Sequence, residues 1–293
     1  MALGAGSADD PGPAYPTPLT FWTRGFGSWG KFDGNGNAAT AQRTLGGFVS
    51  GMDAVVGDGW RGGLATGYTQ SNINVAARTS SADVDSYILA AYSSGTVGPF
   101  ALRSGAAWTW NAIDSSRSVV FPGFYELERA SYNAATGQLF AEVAYPMLTE
   151  QGPLEPFAGL AWVHIGTDGF TESGGAASLT SSDSNENVGF STLGVRAATT
   201  PQPTWWGLTV TPRGSLAWQR AFGNLAPAQA FAFASNGIPF GISGVSLAQD
   251  SALIDAGFDL ALGADAFLSI SYVGQLATDL QDNGVQARFD WRF

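Results

Sequence analysis

The sequence predicts an all-β fold, a membrane-spanning up-and-down antiparallel β-barrel of about twelve strands. Three observations predict it. Hydrophobic and polar residues alternate with the two-residue period of a strand along most of the chain after residue 19. Long and short connections alternate between these stretches, as in outer-membrane barrels. Charged residues make up 13% of the 293 residues, about half of the usual share, whereas Gly (39) and Phe (19) are abundant.

Twelve strands can be placed along the chain. In the final segment the aromatic side chains of Phe289, Trp291 and Phe293 fall on one face, and Arg288 and Asp290 fall on the other. Seven segments alternate clearly: 60–69, 100–111, 136–147, 206–219, 251–262, 266–275 and 286–293. Five more have strand composition with less regular phase: 19–30, 43–56, 83–93, 154–166 and 187–199.

The connections between these strands alternate in length. The predicted short turns are 57–59, 94–99, 149–153, 199–204 and 262–265. The predicted long polar loops are 31–42, 72–82, 114–134, 168–187, 221–248 and 277–283. In an outer-membrane barrel the short turns lie on the periplasmic side, so we expect both chain ends on that side.

The two faces of the strands distinguish a membrane barrel from a soluble sandwich. A sandwich packs its apolar face and exposes its polar face to bulk water. Here the polar faces carry glycine, small residues and charges of both signs, and Trp and Tyr flank the apolar faces as in aromatic girdles. We therefore expect the apolar faces to meet lipid and the polar faces to line a wet lumen. The residues expected to line the lumen are Arg61, Arg103, Glu142, Arg213, Asp255, Asp259, Arg288 and Asp290.

Composition excludes several other classes of protein. The chain has no cysteine, which excludes a disulfide framework, a cysteine-based zinc site and a thiol nucleophile. A net charge of −11 with a single lysine argues against nucleic acid as a partner. The longest strictly apolar run, YILAAY (87–92), is too short for a transmembrane helix.

Residues 1–18 differ from the rest of the chain. They carry four prolines and lack the basic start and apolar core of a signal peptide. We expect them to be a Pro-rich linker, or the remnant of a preceding passenger or plug segment, with the barrel occupying 19–293.

Three short motifs resemble functional sites, but none predicts a cofactor, a metal or a catalytic residue. GFGSWG (25–30) has dinucleotide-binding spacing but precedes a loop rather than a helix. DGNGN (33–37) begins like a calcium loop but lacks the later turn glycine and bidentate glutamate. His164, the one histidine, has no serine placed beside it by sequence and is expected at a rim or interface.

Asp255 and Asp259 fall about 13 Å apart along one strand. This distance favours pairing with lumen arginines over a role as an acid–base catalytic pair.

Several segments resemble the C-terminal translocator domain of bacterial autotransporters, the proteins of type V secretion. The resemblance covers about Phe21 to Phe293. The segments that carry it are 114–145 (DSSRSVVFPGFYELERASYNAATGQLFAEVAY), 154–179 (LEPFAGLAWVHIGTDGFTESGGAASL), FSTLGVRA (190–197), AWQRAFGN (217–224) and LIDAGFDLAL (253–262).

The resemblance implies a monomeric twelve-stranded barrel in the outer-membrane lipid that exports an N-terminal passenger. It implies help from the barrel-assembly machinery and periplasmic chaperones. It also implies an assembly signal at Phe289, Trp291 and Phe293. The residues that match the family's pore hairpin are Phe121, Pro122, Gly123 and Phe124.

The sequence departs from the family's pattern in three ways. No passenger is present, the prolines of 1–18 are incompatible with the usual lumen helix, and no Asn–Asn cleavage junction occurs. Two alternatives remain open beside a non-enzymatic translocator: a general outer-membrane pore or porin, and an outer-membrane barrel lipid hydrolase that uses His164.

Overall fold

The computed structural model describes residues 19–35, 38–204 and 207–293. The predicted linker, 1–18, lies outside the described residues, as do Gly36 and Asn37 of the DGNGN segment. Within the described ranges, no helix is long and apolar enough to cross a membrane.

Twelve long strands, numbered in chain order, form one antiparallel sheet. Their bounds are Leu19–Phe32 (β1), Ala41–Gly57 (β2), Trp60–Val75 (β3), Ser80–Val97 (β4), Phe100–Phe121 (β5), Phe124–Ala144 (β6), Gly152–Thr167 (β7), Ser184–Ala198 (β8), Thr209–Gly223 (β9), Asp250–Ala261 (β10), Ala266–Leu276 (β11) and Leu280–Arg292 (β12). Each strand pairs with the next along the chain, and β12 pairs with β1 from Thr20↔Arg292 to Phe32↔Leu280. The sheet therefore closes, and the predicted twelve-stranded up-and-down barrel is confirmed.

Successive residues of each strand lie alternately on the outer and inner faces. On β5, Trp108 and Trp110 are 44% and 49% exposed, whereas Arg103 is 7% exposed. Inner side chains also meet across intervening strands: Trp22 on β1 donates from Nε1 to the hydroxyl of Tyr92 on β4, at 2.5 Å. A contact that skips two strands needs a concave surface, which identifies the inner face.

The outer face carries most of the large exposed aromatic side chains of the barrel, such as Trp29, Phe48 and Trp218. Its aromatic pairs include Tyr68–Tyr87, Phe100–Tyr145 and Trp291–Phe293. Phe100–Tyr145 and Trp291–Phe293 lie near the end of the barrel that carries the tight turns at 58–59 and 98–99, here called the short-turn rim. The opposite end is the long-loop rim.

Three of the predicted long loops are wrong. β5 and β6 continue to a tight turn at Pro122 and Gly123, so 114–134 is an extended hairpin. Likewise, 72–82 is strand apart from a single 3-10 turn, and β12 already begins within 277–283. In these regions polar side chains lie on both faces of the strands, and the composition therefore resembles that of a loop.

Two long-loop connections, 168–183 and 224–249, fold together into a second sheet. Its short strands pair in the order Pro239–Ser243, Ala228–Phe233, Leu179–Ser181 and Phe170–Thr171. At the short-turn rim, Met147–Thr149 pairs with β7 and Gln202–Pro203 pairs with β9.

Candidate functional site

Four charged side chains form a closed cluster on the inner face of β5 to β8. Arg103 donates to Glu142 at 3.0 Å and to both oxygens of Glu155 at 3.0 and 3.1 Å. Arg196 donates to the same two carboxylates, at 2.6 Å to Glu155 and 2.5 Å to Glu142. The guanidinium of Arg196 also lies 3.8 Å from the centroid of the Phe157 ring. Two positive and two negative charges thus balance in a network of charge-assisted hydrogen bonds.

A second charged cluster lies on the inner face of β9 and β10. Arg213 donates to Asp255 at 2.9 Å and to Asp259 at 3.0 Å, so a single guanidinium joins both carboxylates. The other oxygen of Asp255 accepts from Ser271 and Gln286, each at 3.2 Å. These bonds leave Asp255 fully engaged and 5% exposed.

A third cluster, near the short-turn rim, joins β1 to β4. Asp53 accepts from Nε of Arg61 at 2.7 Å and from the hydroxyl of Tyr92 at 2.9 Å. Arg61 also donates to the hydroxyl of Thr20 at 2.8 Å. Trp22 completes the cluster through its hydrogen bond to Tyr92.

The closing seam between β12 and β1 carries two further ion pairs. Arg288 donates to Asp290 at 2.6 to 3.0 Å along the inner face of β12. Arg43 on β2 is paired with Asp282 on β12, so its side chain passes over β1. It passes at Gly30, where a Cβ would meet Oδ1 of Asp282 at 3.0 Å. A side chain at this position would have to displace the Asp282 carboxylate, so glycine favours the pair.

The structure holds the eight residues expected to line the lumen in ion pairs on the inner face. It adds five charged residues that the sequence did not single out, Arg43, Asp53, Glu155, Arg196 and Asp282, together with Tyr92. All but Asp282 lie on β2, β4, β7 and β8, whose alternation is less regular, and Asp282 lies in a segment predicted to be a loop. In the sequence, each of the charged residues stands as a single charge on one face of a strand. Its partner can be identified only when the register between neighbouring strands is known.

The residues matched to the pore hairpin form the tip of the β5–β6 hairpin. The rings of Phe121 and Phe124 stack with their centroids 4.5 Å apart across the turn. Gly123 has φ +83°, a left-handed conformation that favours glycine. Phe121 remains 56% exposed, so the tip projects an apolar pair into solvent.

His164 lies on the outer face of β7. Its Nδ1 is 3.1 Å from Oδ1 of Asn187, and its ring stacks on Trp162 at 5.8 Å. His164 thus contacts an amide and an indole on the outer face, away from the charged clusters of the inner face. Across the described ranges, no group of three or more His, Cys, Asp or Glu side chains could hold a metal ion.

The residues matched to the assembly signal share the outer face of β12 and of the residue that follows it, Phe293. Trp291 and Phe293 are 50% and 55% exposed, and their rings stack at 5.1 Å. Phe289 is half-buried on the same face. The aromatic face therefore points away from the lumen at the short-turn rim.

Comparison with known proteins agrees with this architecture. The family model for the autotransporter beta-domain matches residues 21–273. The chain is 38% identical over 273 residues to an extracellular serine protease of Serratia marcescens, covering 93% of this chain but 26% of that protein. It thus spans about a quarter of the length of this relative.

Two solved structures share the fold. The translocator domain of the autotransporter NalP from Neisseria meningitidis superposes with a TM-score of 0.76 and 17% identity, over 94% of this chain and 89% of that one. The beta domain of the Bordetella autotransporter BrkA gives a TM-score of 0.68 and 16% identity, over 94% of this chain and 100% of that one. The chain therefore belongs to the autotransporter β-domain family, and it is an integral outer-membrane β-barrel with translocator function.

Proposed function

We propose that this barrel anchors and exports a passenger that precedes residue 19 in a longer protein. The observation that carries the proposal is the position of the chain's entry into the barrel. The carbonyl of Leu19 accepts a hydrogen bond from the backbone N–H of Phe293, so β1 begins at the short-turn rim. In an outer-membrane barrel this rim is periplasmic. A segment attached before Leu19 therefore reaches the opposite rim by the most direct path through the lumen.

The charged inner wall supports such a passage. Arg61, Arg103, Arg213 and Arg288 each lie beside carboxylates, so neither sign of charge dominates the wall. A wall whose charges are already paired offers a passing chain few strong attachment points. We propose that these pairs keep the lumen hydrated and ordered while an unfolded or hairpin segment moves through it.

Three further roles follow from the family resemblance. We propose that residues 1–18 link the passenger to β1, and that the hairpin tip at 121–124 assists the passenger at the long-loop rim. We also propose that Phe289, Trp291 and Phe293 are recognised by the barrel-assembly machinery, with periplasmic chaperones delivering a monomeric barrel to the outer-membrane lipid. The outward position of these aromatic side chains supports the last role.

The Serratia relative is named as a serine protease, which raises the question of where a protease activity would reside. We infer that any protease activity of a full-length protein resides in the segment before the barrel, because the chain matches only 26% of that relative. The barrel itself acts as the transporter. The contacts of His164 with Asn187 and Trp162 also favour transport over the hydrolase alternative.

A reporter passenger fused upstream of residue 19 tests the proposal in cells. Barrel assembly is followed by heat-modifiable migration in gels, and the reporter is followed by its cleavage with external protease. We expect an assembled barrel and a surface-exposed reporter. An assembled barrel whose reporter stays inside the cell, together with a steady conductance in planar bilayers, would instead identify a general pore.

A further inference from the structure

The loops 168–183 and 224–249, here called the cap, connect parts of the barrel that are not neighbours. The first loop joins β7 to β8, and the second joins β9 to β10. They pair with each other through three residues, Leu179–Ser181 against 231–233. The first loop is also attached to β6, because the N–H of Asp168 donates to the carbonyl of Asn133 at 2.9 Å. The cap therefore spans the long-loop rim from β6 to β10 rather than extending outward from each hairpin.

A segment of the cap, 172–179, crosses the inner face of the extended β5–β6 hairpin. β6 keeps its register with β5 without a shift, and Glu126 and Glu128 lie an even number of residues from Glu142, so all three share the inner face. Glu128 is 0% exposed and accepts from the hydroxyl of Ser178 at 2.6 Å. Glu126 accepts from the N–H of Ala177 at 2.8 Å. Carboxylates of the hairpin thus hold the backbone and side chains of the crossing segment.

Arg117 completes this attachment from β5. It pairs with Glu172 through two nitrogens and donates to the carbonyl of Ala177 at 3.0 Å. Close approach depends on Gly174, where a Cβ would lie 2.6 Å from Oε2 of Glu128. We call this set of contacts the latch.

A short row of aromatic rings forms the core of the cap. The ring of Tyr132, on the inner face of β6, stacks on Phe170 with centroids 4.2 Å apart. Phe170 meets Phe231 at 6.3 Å, and Phe231 meets Phe240 at 6.2 Å. The row of rings runs from the β5–β6 hairpin to the second loop, as does the succession of strands in the cap sheet. The two loops also exchange hydrogen bonds beyond their pairing, from the N–H of Ala234 to the carbonyl of Ser178 and from Gln229 to the carbonyl of Ser182, each at 2.8 Å. The cap is thus held by a few rings, the latch, a three-residue pairing and these hydrogen bonds.

We propose that the cap is a gate at the extracellular mouth, closed by the pairing of its two loops and opened by their separation, while the latch holds the first loop on the hairpin. This inference rests on the proposed export function, because the gate is the last barrier that a passenger would meet. The two loops share three paired residues and a few further hydrogen bonds, whereas β12 and β1 pair over thirteen positions. Local opening follows the smallest set of stabilising contacts, so the cap separates without opening the wall.

A reversible disulfide tests the gate directly, because the chain has no cysteine of its own. The double variant Thr180→Cys with Ala232→Cys places two thiols directly opposite each other across the two loops. Opposite residues of an antiparallel pair have Cα atoms about 4.5 to 5.5 Å apart, within the range that a disulfide spans. The matched control, Thr44→Cys with Asn72→Cys, places an equivalent pair across β2 and β3 in the wall.

The reporter fusion is expressed with each pair, and its arrival at the surface is timed with and without reductant. We expect oxidation of the cap pair to slow arrival severalfold and reduction to restore it, with no effect of the wall pair. Equal arrival through the oxidised and reduced cap would overturn the gate while leaving export intact. Failure of export in both redox states and in the control would overturn the export function and the gate with it.

Conductance of the purified barrel gives a second readout that needs no passenger. Oxidation of the cap pair is expected to remove opening steps from planar-bilayer recordings, and reduction to restore them. Opening steps that persist unchanged in the oxidised cap variant would contradict the gate.

Discussion

The backbone N–H of Phe293 donates a hydrogen bond to the carbonyl oxygen of Leu19 at 3.0 Å. The bond joins the last residue to the first described one, at the end of a seam of thirteen paired positions. Closure of the barrel therefore leaves no free edge in the wall, as a strand in lipid requires. The ring of Phe293 is not needed for this backbone bond, because it lies on the outer face.

This separation of backbone and ring predicts the effect of changing the last residue. We expect Phe293→Asp, which keeps the backbone N–H, to impair membrane insertion in cells much more than it lowers the stability of a barrel already folded in detergent. Deletion of Phe293, which also removes the bond to Leu19, should impair insertion at least as much. Insertion is measured by heat-modifiable migration of outer-membrane fractions, and stability by unfolding of the refolded variant. Phe293→Tyr serves as the conservative control. Equal losses in both assays would show that the ring is structural.

The pair that crosses β1 predicts the stability of the seam. Removal of Asp282 by Asp282→Ala leaves Arg43 buried without its partner, which costs about 3–5 kcal/mol for a buried pair. Gly30→Val should give a loss in the same direction, because its Cβ would lie 3.0 Å from Oδ1 of Asp282. Denaturant unfolding in detergent measures both variants.

The control is Lys31→Ala, which removes the pair of Lys31 with Asp33. The two side chains of this pair are about half exposed (53% and 45%), and such a surface pair contributes only about 0–1 kcal/mol. A loss in the control as large as in Asp282→Ala would contradict the account.

The balanced cluster of Arg103, Arg196, Glu142 and Glu155 predicts the ion selectivity of the lumen. Glu142→Gln leaves an excess of positive charge and should shift selectivity toward anions. Arg196→Gln leaves an excess of negative charge and should shift it toward cations. Reversal potentials in a salt gradient measure the two shifts, and shifts of the same sign would show that this cluster does not face the ion path.

Acid should weaken the latch of the cap. Glu126 lies on the extracellular part of the hairpin. The hydrogen bond from the N–H of Ala177 is the main reason why the pKa of the Glu126 carboxyl lies below the ordinary value. A carboxyl whose pKa is lower in the folded state stabilises that state above its ordinary pKa and loses this contribution as pH falls through the lowered value.

Protease cleavage within 172–179 should therefore accelerate as pH falls below the ordinary glutamate pKa. An acid-stable protease followed across this range measures the effect, and Glu126→Gln, corrected for protease activity, should respond less to pH. Identical pH profiles for the two proteins would remove Glu126 from the latch.

The sequence predicts the barrel well because its main constraint is local. A strand between lipid and water must alternate, and residues such as Trp108, Trp110 and Arg103 show that alternation without reference to any other strand. The pairing of Arg213 with Asp255 and Asp259 could also be anticipated, since both carboxylates share a face of one strand.

The remaining features depend on contacts that alternation does not encode. The bonds of Arg196 to Glu142 and Glu155 require the register of three strands, and the passage of Arg43 over Gly30 requires the closing of the seam. The cap is built from strands of two to six residues whose partners lie in another loop. Strands this short carry no period of their own, so the polar loops could be located but not folded from sequence.

Contact between a moving passenger and the inner face is the most direct test of the account. A photo-crosslinking residue is placed at Thr109, which is 8% exposed on the inner face, or at neighbouring Trp108, which is 44% exposed on the outer face. A fused passenger is then stalled during export by a folded domain at its N-terminus. The account predicts an adduct with the stalled passenger from position 109 and none from position 108. A passenger that reaches the surface without any adduct at 109, or with equal adducts from both positions, would contradict transport through this lumen.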